Sequence, residues 1–401
     1  MDVIFLGNLF PENRINEIRK NSLSKVDNAA NNLQYALLDG LIEYYSNINI
    51  ISLPVIGSYP INYKKIYFKK SFSKYNDKFN LLCVNFINLI LIKHYSRYVN
   101  SLRALKKIVK PNKETLIFLY SINSPFLKAI NEFKKDHPNV QLCLIAPDLP
   151  QFMSESKNPI YKILKTLDIK IIHKYLPSID YFVVLSDFMY SPLKIGIRPW
   201  TRIEGIFSSK TISNINSQEI NAKTILYTGT LDYRLGIMNL LKAFMEINDE
   251  EFKLWICGAG NASFDIINAS KNDHRIIFFG ILPLDEILEL QKKATVLVNP
   301  RSSEGEFTKY SFPSKTLEYM ASGTPCIMHR LPSVPKEYND FIFFTDRDDY
   351  TGLKEKIIEV CSMKQTDLND FGQKASQFIF ENKNPKVQVK KIYDMINQYK
   401  K

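Results

Sequence analysis

A polar stretch between two apolar runs carries most of the side chains in this chain that could do chemistry. It reads Asn299-Pro-Arg301-Ser-Ser-Glu304-Gly-Glu306-Phe-Thr308-Lys309-Tyr310-Ser311-Phe312-Pro313-Ser314-Lys315-Thr316-Leu-Glu318, and Gly323-Thr-Pro325 closes it. Hydroxyls and both signs of charge crowded onto a loop between buried segments suit a binding site. A helix is expected over 314–322, with Gly323 as its stop signal. Ser314, Lys315 and Thr316 would then offer backbone N–H groups and side-chain donors at a helix start, which suits an anion. Glu318, one turn further in, could accept both hydroxyls of a ribose; a solvated helix residue is the competing reading.

Two shorter segments add to this. Tyr227-Thr-Gly229-Thr230-Leu-Asp-Tyr-Arg234-Leu-Gly236 follows an apolar run and precedes a helical pattern. Gly229 allows close approach of a phosphate to the backbone, and Arg234 could contact a diphosphate through two N–H groups. An ordinary strand–helix turn with a surface arginine fits the same residues. Cys257-Gly258-Ala-Gly260 is too short for a dinucleotide fingerprint and reads as a tight turn. Asp148, in Ala146-Pro-Asp-Leu-Pro150, could orient a second substrate at a strand end; a turn residue flanked by prolines is the alternative.

The elements that must position these residues alternate strand and helix. Strands are expected at 2–6, 50–55, 115–120, 140–146 and 181–185, with helices over 26–45 and 159–175. The pattern restarts near residue 223. Strands are expected at 224–227, 253–257, 276–279, 295–298 and 325–328, and helices over 236–247, 285–293 and 386–399. Two α/β units in series predict two Rossmann-like domains with parallel sheets facing a central cleft. The expected boundaries are 1–207, a linker over 208–222, a nucleotide-binding domain over 223–385, and a C-terminal helix over 386–401 that packs back on the first domain.

Here the residues acquire a family likeness. Residues 223–330 resemble the nucleotide-binding domain of family 4 of the retaining glycosyltransferases, which have the GT-B fold. The carriers are SFPSKTLEYMASGTPCI, ILYTGTLDYRLGIMNLLKAF, and VLSDFMYSPLKIGIRPWTRIEGI at 184–206. The resemblance implies a nucleotide-sugar donor, UDP- or GDP-linked, and a sugar or lipid-linked glycan acceptor. It implies Gly229, Thr230 and Arg234 near the diphosphate, Ser314, Lys315 and Thr316 on phosphate oxygens, and Gly280-Ile281-Leu282 beside the base. Glu318 matches the second glutamate of the family's E-x7-E motif and would bind the ribose. Gly7, Gly258, Thr308, Tyr310 and Ser311 complete the expected donor set. Arg234, Lys315 and Glu306 are the expected catalytic residues, and Asp148 the expected acceptor contact. Two positions depart from the pattern. Tyr310 stands where the first glutamate belongs, with Glu306 as its candidate replacement. Thr230 stands where arginine is common, with Arg234 displaced by one from the usual lysine. Arg234, Lys315 and helix N-termini would stabilise the leaving diphosphate without a metal, so transfer without metal or cofactor is expected. A non-catalytic nucleotide-sugar-binding protein of the same fold is the alternative reading.

The formal net charge of +12 is concentrated: residues 61–110 alone carry +11, and residues 201–401 sum to zero. Lys64, Lys65, Lys69 and Lys70 alternate with Tyr63, Tyr67, Phe68 and Phe72, which suits an anionic membrane surface. No nucleic-acid motif accompanies them, and nucleic acid is not an expected partner. The apolar run Leu81–Ile92 is too short to span a bilayer. The start shows no signal peptide, and the five cysteines match neither a disulfide framework nor a zinc site. A cytoplasmic protein, peripheral at the inner face of the membrane, is the expectation.

Overall fold

The structure is a computed structural model that describes residues 1–23, 28–110, 113–152, 159–208 and 223–399. It divides into two compact units, Met1–Glu204 with Pro385–Lys401, and Gly205–Asn384. The expected linker lies outside the described residues apart from Ser208.

In the first unit the order is β1 (Asp2–Gly7), α1 (Ile15–Asn21), α2 (Asn28–Tyr44), β2 (Ile48–Ser52), β3 (Tyr67–Phe68), β4 (Ser71–Tyr75), β5 (Phe79–Cys83), β6 (Phe86–Ile87), α3 (Ile90–Ile108), β7 (Thr115–Tyr120), α4 (Ser124–Asp136), β8 (Val140–Ala146), α5 (Pro159–Tyr175), β9 (Tyr181–Val184) and β10 (Trp200–Arg202). Eight strands form one sheet in the order β10-β9-β8-β7-β1-β2-β5-β4. All pairs are parallel except β4 with β5. Central strands of such a sheet are buried on both faces, so they read as near-continuous apolar runs, as in β7 and, from Leu142 on, β8. The strand order reverses between β1 and β7.

The apolar run at 81–92 is not one element. It is divided among β5, β6 and the start of α3. The division falls at Asn88, which is fully buried and donates through Nδ2 to the Gly57 and Lys65 carbonyls at 2.9 and 3.3 Å. A buried amide that must satisfy loop carbonyls ends the periodicity.

The second unit comprises β11 (Lys223–Thr230), α6 (Ile237–Met245), β12 (Phe252–Ala259), α7 (Ser263–Asn272), β13 (Ile276–Gly280), α8 (Leu284–Lys293), β14 (Val296–Asn299), α9 (Lys315–Ala321), β15 (Cys326–Met328), β16 (Phe343–Phe344), α10 (Tyr350–Cys361) and α11 (Gln365–Asn382). Its six parallel strands run β13-β12-β11-β14-β15-β16, the Rossmann order 3-2-1-4-5-6. The core packs Leu240, Phe244 and Ile357 against Ile225, Leu254 and Val298 of the sheet. The last helix, α12 (Pro385–Tyr399), belongs to the first unit, where Tyr393 stacks on Tyr44 with ring centroids 4.9 Å apart.

β12 runs two residues past Cys257, so Gly258 lies on a strand and not in a turn. It pairs with Gly229 of β11, and a Cβ on Gly258 would come within 1.8 Å of the Gly229 carbonyl. The glycine is needed there for strand-to-strand approach, which corrects the tight-turn reading. Gly7 is in a similarly tight place: a Cβ there would meet Gln34 Oε1 at 2.5 Å. That same oxygen accepts from Asn8 N–H at 2.7 Å.

Among the described residues no helix is long and apolar enough to cross a membrane. All five cysteines are buried and unpaired.

Candidate functional site

In a sheet ordered 3-2-1-4-5-6 the ligand crevice lies beyond the carboxyl ends of the strands, where the order reverses. Here that is the gap between the ends of β11 and β14. Both polar segments singled out in the sequence leave the sheet at this place. Gly236 brings them together: it adopts φ of +79°, and a Cβ on it would meet the Pro300 carbonyl at 2.0 Å. Only glycine combines that conformation with that contact.

The centre of the site is a carboxylate with two donors. Lys315 Nζ lies 2.9 and 3.0 Å from the two oxygens of Glu318. Gln291 Nε2, from α8, donates to Glu318 Oε1 at 2.7 Å. The lysine and glutamate side chains are partly open to solvent, whereas Gln291 is fully buried. Gln291 also reaches Thr228 Oγ1 at 3.3 Å, and its main-chain carbonyl accepts from the Thr324 hydroxyl at 2.7 Å. Beneath lies Tyr319, fully buried, which accepts from Thr228 N–H at 2.8 Å and donates to the Thr228 carbonyl at 2.9 Å. Burial, together with Tyr227, holds the Tyr319 hydroxyl well above its ordinary pKa, so it stays a neutral donor. The network ties the end of β11 to α8 and α9. Gln291, Tyr319 and Thr228 were missed in the sequence. A buried glutamine in a helix that otherwise reads Leu-Asp-Glu-Ile-Leu-Glu-Leu is indistinguishable from a surface one until α8 is placed.

Arg234 follows β11 on a 3-10 turn and is matched by Asp232. It donates through Nε at 3.2 Å and through Nη2 at 3.1 Å. Asp232 also caps the turn by accepting from Arg234 N–H at 2.9 Å. These hydrogen bonds hold the Asp232 carboxyl below its usual range.

Glu306 and Tyr310 meet, with the phenol donating to Glu306 Oε1 at 3.2 Å. A carboxylate therefore stands beside the position at which the motif lacks one. Burial first, then Glu306, raises the Tyr310 pKa. At the end of β13, Gly280 has φ of +69° and open space where a side chain would be. Ile281 beside it is exposed, and Leu282 packs on the apolar cluster that contains Cys257, Leu297 and Tyr319.

Two of the expected donor contacts, Thr316 and Thr308, face inward. Thr316 is fully buried; its hydroxyl accepts from Asn299 Nδ2 at 3.2 Å, and its N–H already serves the Pro313 carbonyl at 2.9 Å. It braces β14 against α9. Thr308 is also buried, with its hydroxyl directed at the Ser303 and Gly305 carbonyls at 2.9 and 2.7 Å. Ser311 accepts through its carbonyl from the Ser333 hydroxyl at 3.1 Å. Ser314 precedes α9 and forms no side-chain cap. Of the anion donors expected at this helix start, Lys315 is the one with its charge at the site.

In the first unit Asp148 is exposed beyond the end of β8. The basic segment is more structural than expected. Tyr63 and Phe68 are buried, and Phe68 stacks on Phe86 at 5.1 Å, so neither can reach a membrane surface. Lys64 Nζ donates to the Lys20 carbonyl at 3.2 Å, and Lys65 Nζ lies 3.1 Å from Glu17. Lys70 covers the Phe72 ring at 4.7 Å, and Lys69 is exposed.

Residues 222–363 match the family Glycosyl transferases group 1. An uncharacterized glycosyltransferase of Methanocaldococcus jannaschii is 31% identical over 140 residues, 33% of this chain and 34% of that protein. The alpha-monoglucosyldiacylglycerol synthase of Streptococcus pneumoniae is 25% identical over 244 residues, 53% of this chain and 54% of that protein. The matches thus span about a third to about half of these relatives' length. Among solved structures, sucrose-phosphate synthase from Thermosynechococcus elongatus superposes with a TM-score of 0.66 at 14% identity, over 99% of this chain and 100% of that one. The fold is GT-B, and the match to the glycosyl transferases group 1 model falls within the second unit.

Proposed function

We propose that this chain is a glycosyltransferase. It moves a sugar from a UDP- or GDP-linked donor to a sugar or lipid-linked glycan, at the cytoplasmic face of a membrane, in surface polysaccharide synthesis. The observation that carries this reading is the Lys315–Glu318–Gln291 constellation at the point where the second sheet reverses its strand order. A lipid acceptor is supported by the name of one relative, which makes a glucosylated diacylglycerol.

The chemistry follows from charge. Transfer breaks the bond from the anomeric carbon to the diphosphate, and negative charge grows on the leaving oxygen. Fixed cations at the strand ends lower that barrier more than they favour substrate binding. Lys315 is the nearer candidate and Arg234 the second. Glu318 has lone pairs beyond those used by Lys315 and Gln291, and these accept the ribose hydroxyls. With the diphosphate bound, the lysine can turn from Glu318 to a phosphate oxygen and exchange one anion for another. The reaction retains anomeric configuration, with the leaving phosphate taking the acceptor proton and Glu306 beside the sugar. It needs neither metal nor cofactor, so activity should persist in EDTA.

One observation favours the alternative, a non-catalytic nucleotide-sugar-binding protein: Asp232 already neutralises Arg234. Two measurements decide. Thermal stabilisation by UDP-, GDP- and ADP-sugars tests donor binding, since a ligand of the native state raises the melting temperature. Release of nucleotide from the stabilising donor in the presence of membrane lipid or glycan acceptors tests turnover. Stabilisation without release would favour the binding protein, and absence of both would reject the donor site.

A further inference from the structure

Helix α5 is apolar on the side it shows to water. Ile163, Leu164, Leu167 and Ile171 keep 62%, 46%, 50% and 42% of their surface open. At ~100° per residue these four fall in one arc roughly 100° wide. The opposite side, with the buried Ile172 and the partly buried Asp168, packs inward. There Asp168 accepts a hydrogen bond from the Ser124 hydroxyl at the start of α4. Alongside runs α3, whose His94 and Tyr98 lie within electrostatic reach of Asp168 and Tyr175. That helix adds the exposed Ile92 and Tyr95.

The charges on α5 identify what covers the stripe. The helix carries four lysines against one aspartate. Lys170 and Lys174 are exposed and, on the helical wheel, fall on the same side as the aliphatic residues. Lysine is depleted at protein–protein interfaces. It is favoured at the edge of a helix lying in a lipid headgroup layer, where the stem stays among apolar groups and the ammonium meets phosphate. The basic surface at 61–72 has two of its four aromatic rings buried and two of its lysines engaged, so it offers less.

We propose that α5 lies in the plane of an anionic membrane surface, with Ile163, Leu164, Leu167 and Ile171 at the acyl-chain boundary and Lys170 and Lys174 on lipid phosphates. This rests on the membrane attachment proposed above and is independent of the donor site.

The test is co-sedimentation of the full chain with vesicles of phosphatidylcholine, alone or mixed with phosphatidylglycerol. Binding is expected to the mixed vesicles at low salt, with loss at high salt. The triple variant Ile163→Ser, Leu167→Ser, Ile171→Ser should bind roughly tenfold or more weakly, because the apolar insertion is gone. Lys170→Gln with Lys174→Gln should weaken binding several-fold and remove most of the preference for phosphatidylglycerol. The altered side chains face water, so an unchanged melting curve and unchanged UDP binding confirm that each variant is folded. Full binding by the triple variant overturns the proposal, and so does absence of binding to mixed vesicles. A dimer that the triple variant breaks, without vesicle binding, would make the stripe a self-association face and overturn it too. Vesicle binding by a protein that binds no nucleotide would leave this inference standing and reject the donor reading.

Discussion

In the second unit Lys315 and Arg234 rest on carboxylates, whereas in the first unit the buried Arg97 and the half-buried Lys93 rest on neutral oxygens. Lys315 holds Glu318, and Arg234 holds Asp232. Arg97 of α3, buried between Phe86 and Phe126, instead donates to the Leu53 and Pro54 carbonyls at 2.8 and 2.9 Å and to Asn8 Oδ1 at 3.3 Å. Lys93 donates to the Ile56 carbonyl. The difference is one of exchange. A partly exposed cation paired with a carboxylate can turn to an arriving phosphate at little cost, because one anion replaces another. A buried cation on carbonyls cannot leave without stranding them. The first arrangement suits an exchanging ligand, and the second pins the loop after β2.

If that distinction holds, the largest effect on turnover belongs to Lys315. Lys315→Ala should lower kcat by about 10²–10³-fold, the range found when one donor to a developing charge is removed. Arg234→Ala should cost less, roughly tenfold, since its side chain is 59% exposed and screened by solvent. Steady-state kinetics separate the cases: a change in KM alone for both variants would reject the role in bond breaking.

Glu318→Ala comes next and should act on binding. Losing a charged acceptor for the ribose costs about 1.5–3 kcal/mol, or roughly 10- to 100-fold in donor affinity. Calorimetric titration with UDP and GDP measures it. Unchanged affinity in a folded variant would remove Glu318 from the ribose site.

How far the sequence discloses this differs between the units for a physical reason. In the second unit the groups proposed to meet the donor are close in sequence, so spacing alone places Lys315 and Glu318 on one turn of one helix. The partners that fix them arrive from elsewhere. Gln291 and Thr228 stand 27 and 63 residues from their contacts with Glu318 and Gln291. Residue type alone could not separate Thr316 and Thr308, which face inward, from a ligand-facing hydroxyl. In the first unit, the run of lysines and aromatics is legible as a pattern but not as a surface. The pairing of β3 with β6 buries Phe68, and a two-residue strand gives no periodicity to read. The exposed stripe of α5 is hidden for a related reason, since Ile and Leu at helical spacing look the same whether they face the core or water.

Gln291→Leu sharpens the contrast within the site. The variant keeps the volume and loses the donor that fixes Glu318. Donor KM should rise several-fold with kcat little changed, since the glutamate is then held by Lys315 alone. Stability should fall by about 1–3 kcal/mol, because Thr228 and Glu318 lose a buried partner. Gln291→Asn, too short to bridge both, should leave stability nearer wild type but keep the KM defect. If both variants affect only stability, Gln291 is a core residue and not a positioning one.

The smallest effect on activity is expected at Lys93, where the contrast predicts a purely structural cation. Burial, reinforced by the charge of Arg97, lowers the Lys93 pKa to about 7. The unfolded chain keeps its lysine protonated up to about 10.4. Between these values the unfolded state binds the extra proton, so stability must rise with pH from about 7 to about 10, with a slope of at most ~1.4 kcal/mol per pH unit. Below about 7 both states are charged and the burial penalty is present in full. Lys93→Met removes the titrating group but strands the Ile56 carbonyl, so the absolute stability can move either way. The difference in pH dependence isolates the lysine: the rise above pH 7 should be steeper in the wild type than in the variant, while donor affinity and kcat stay the same. Urea unfolding at a series of pH values measures it. Parallel curves for the two proteins would mean that Lys93 stays charged at neutral pH, and a fall in kcat would place it with the exchangeable cations of the second unit instead.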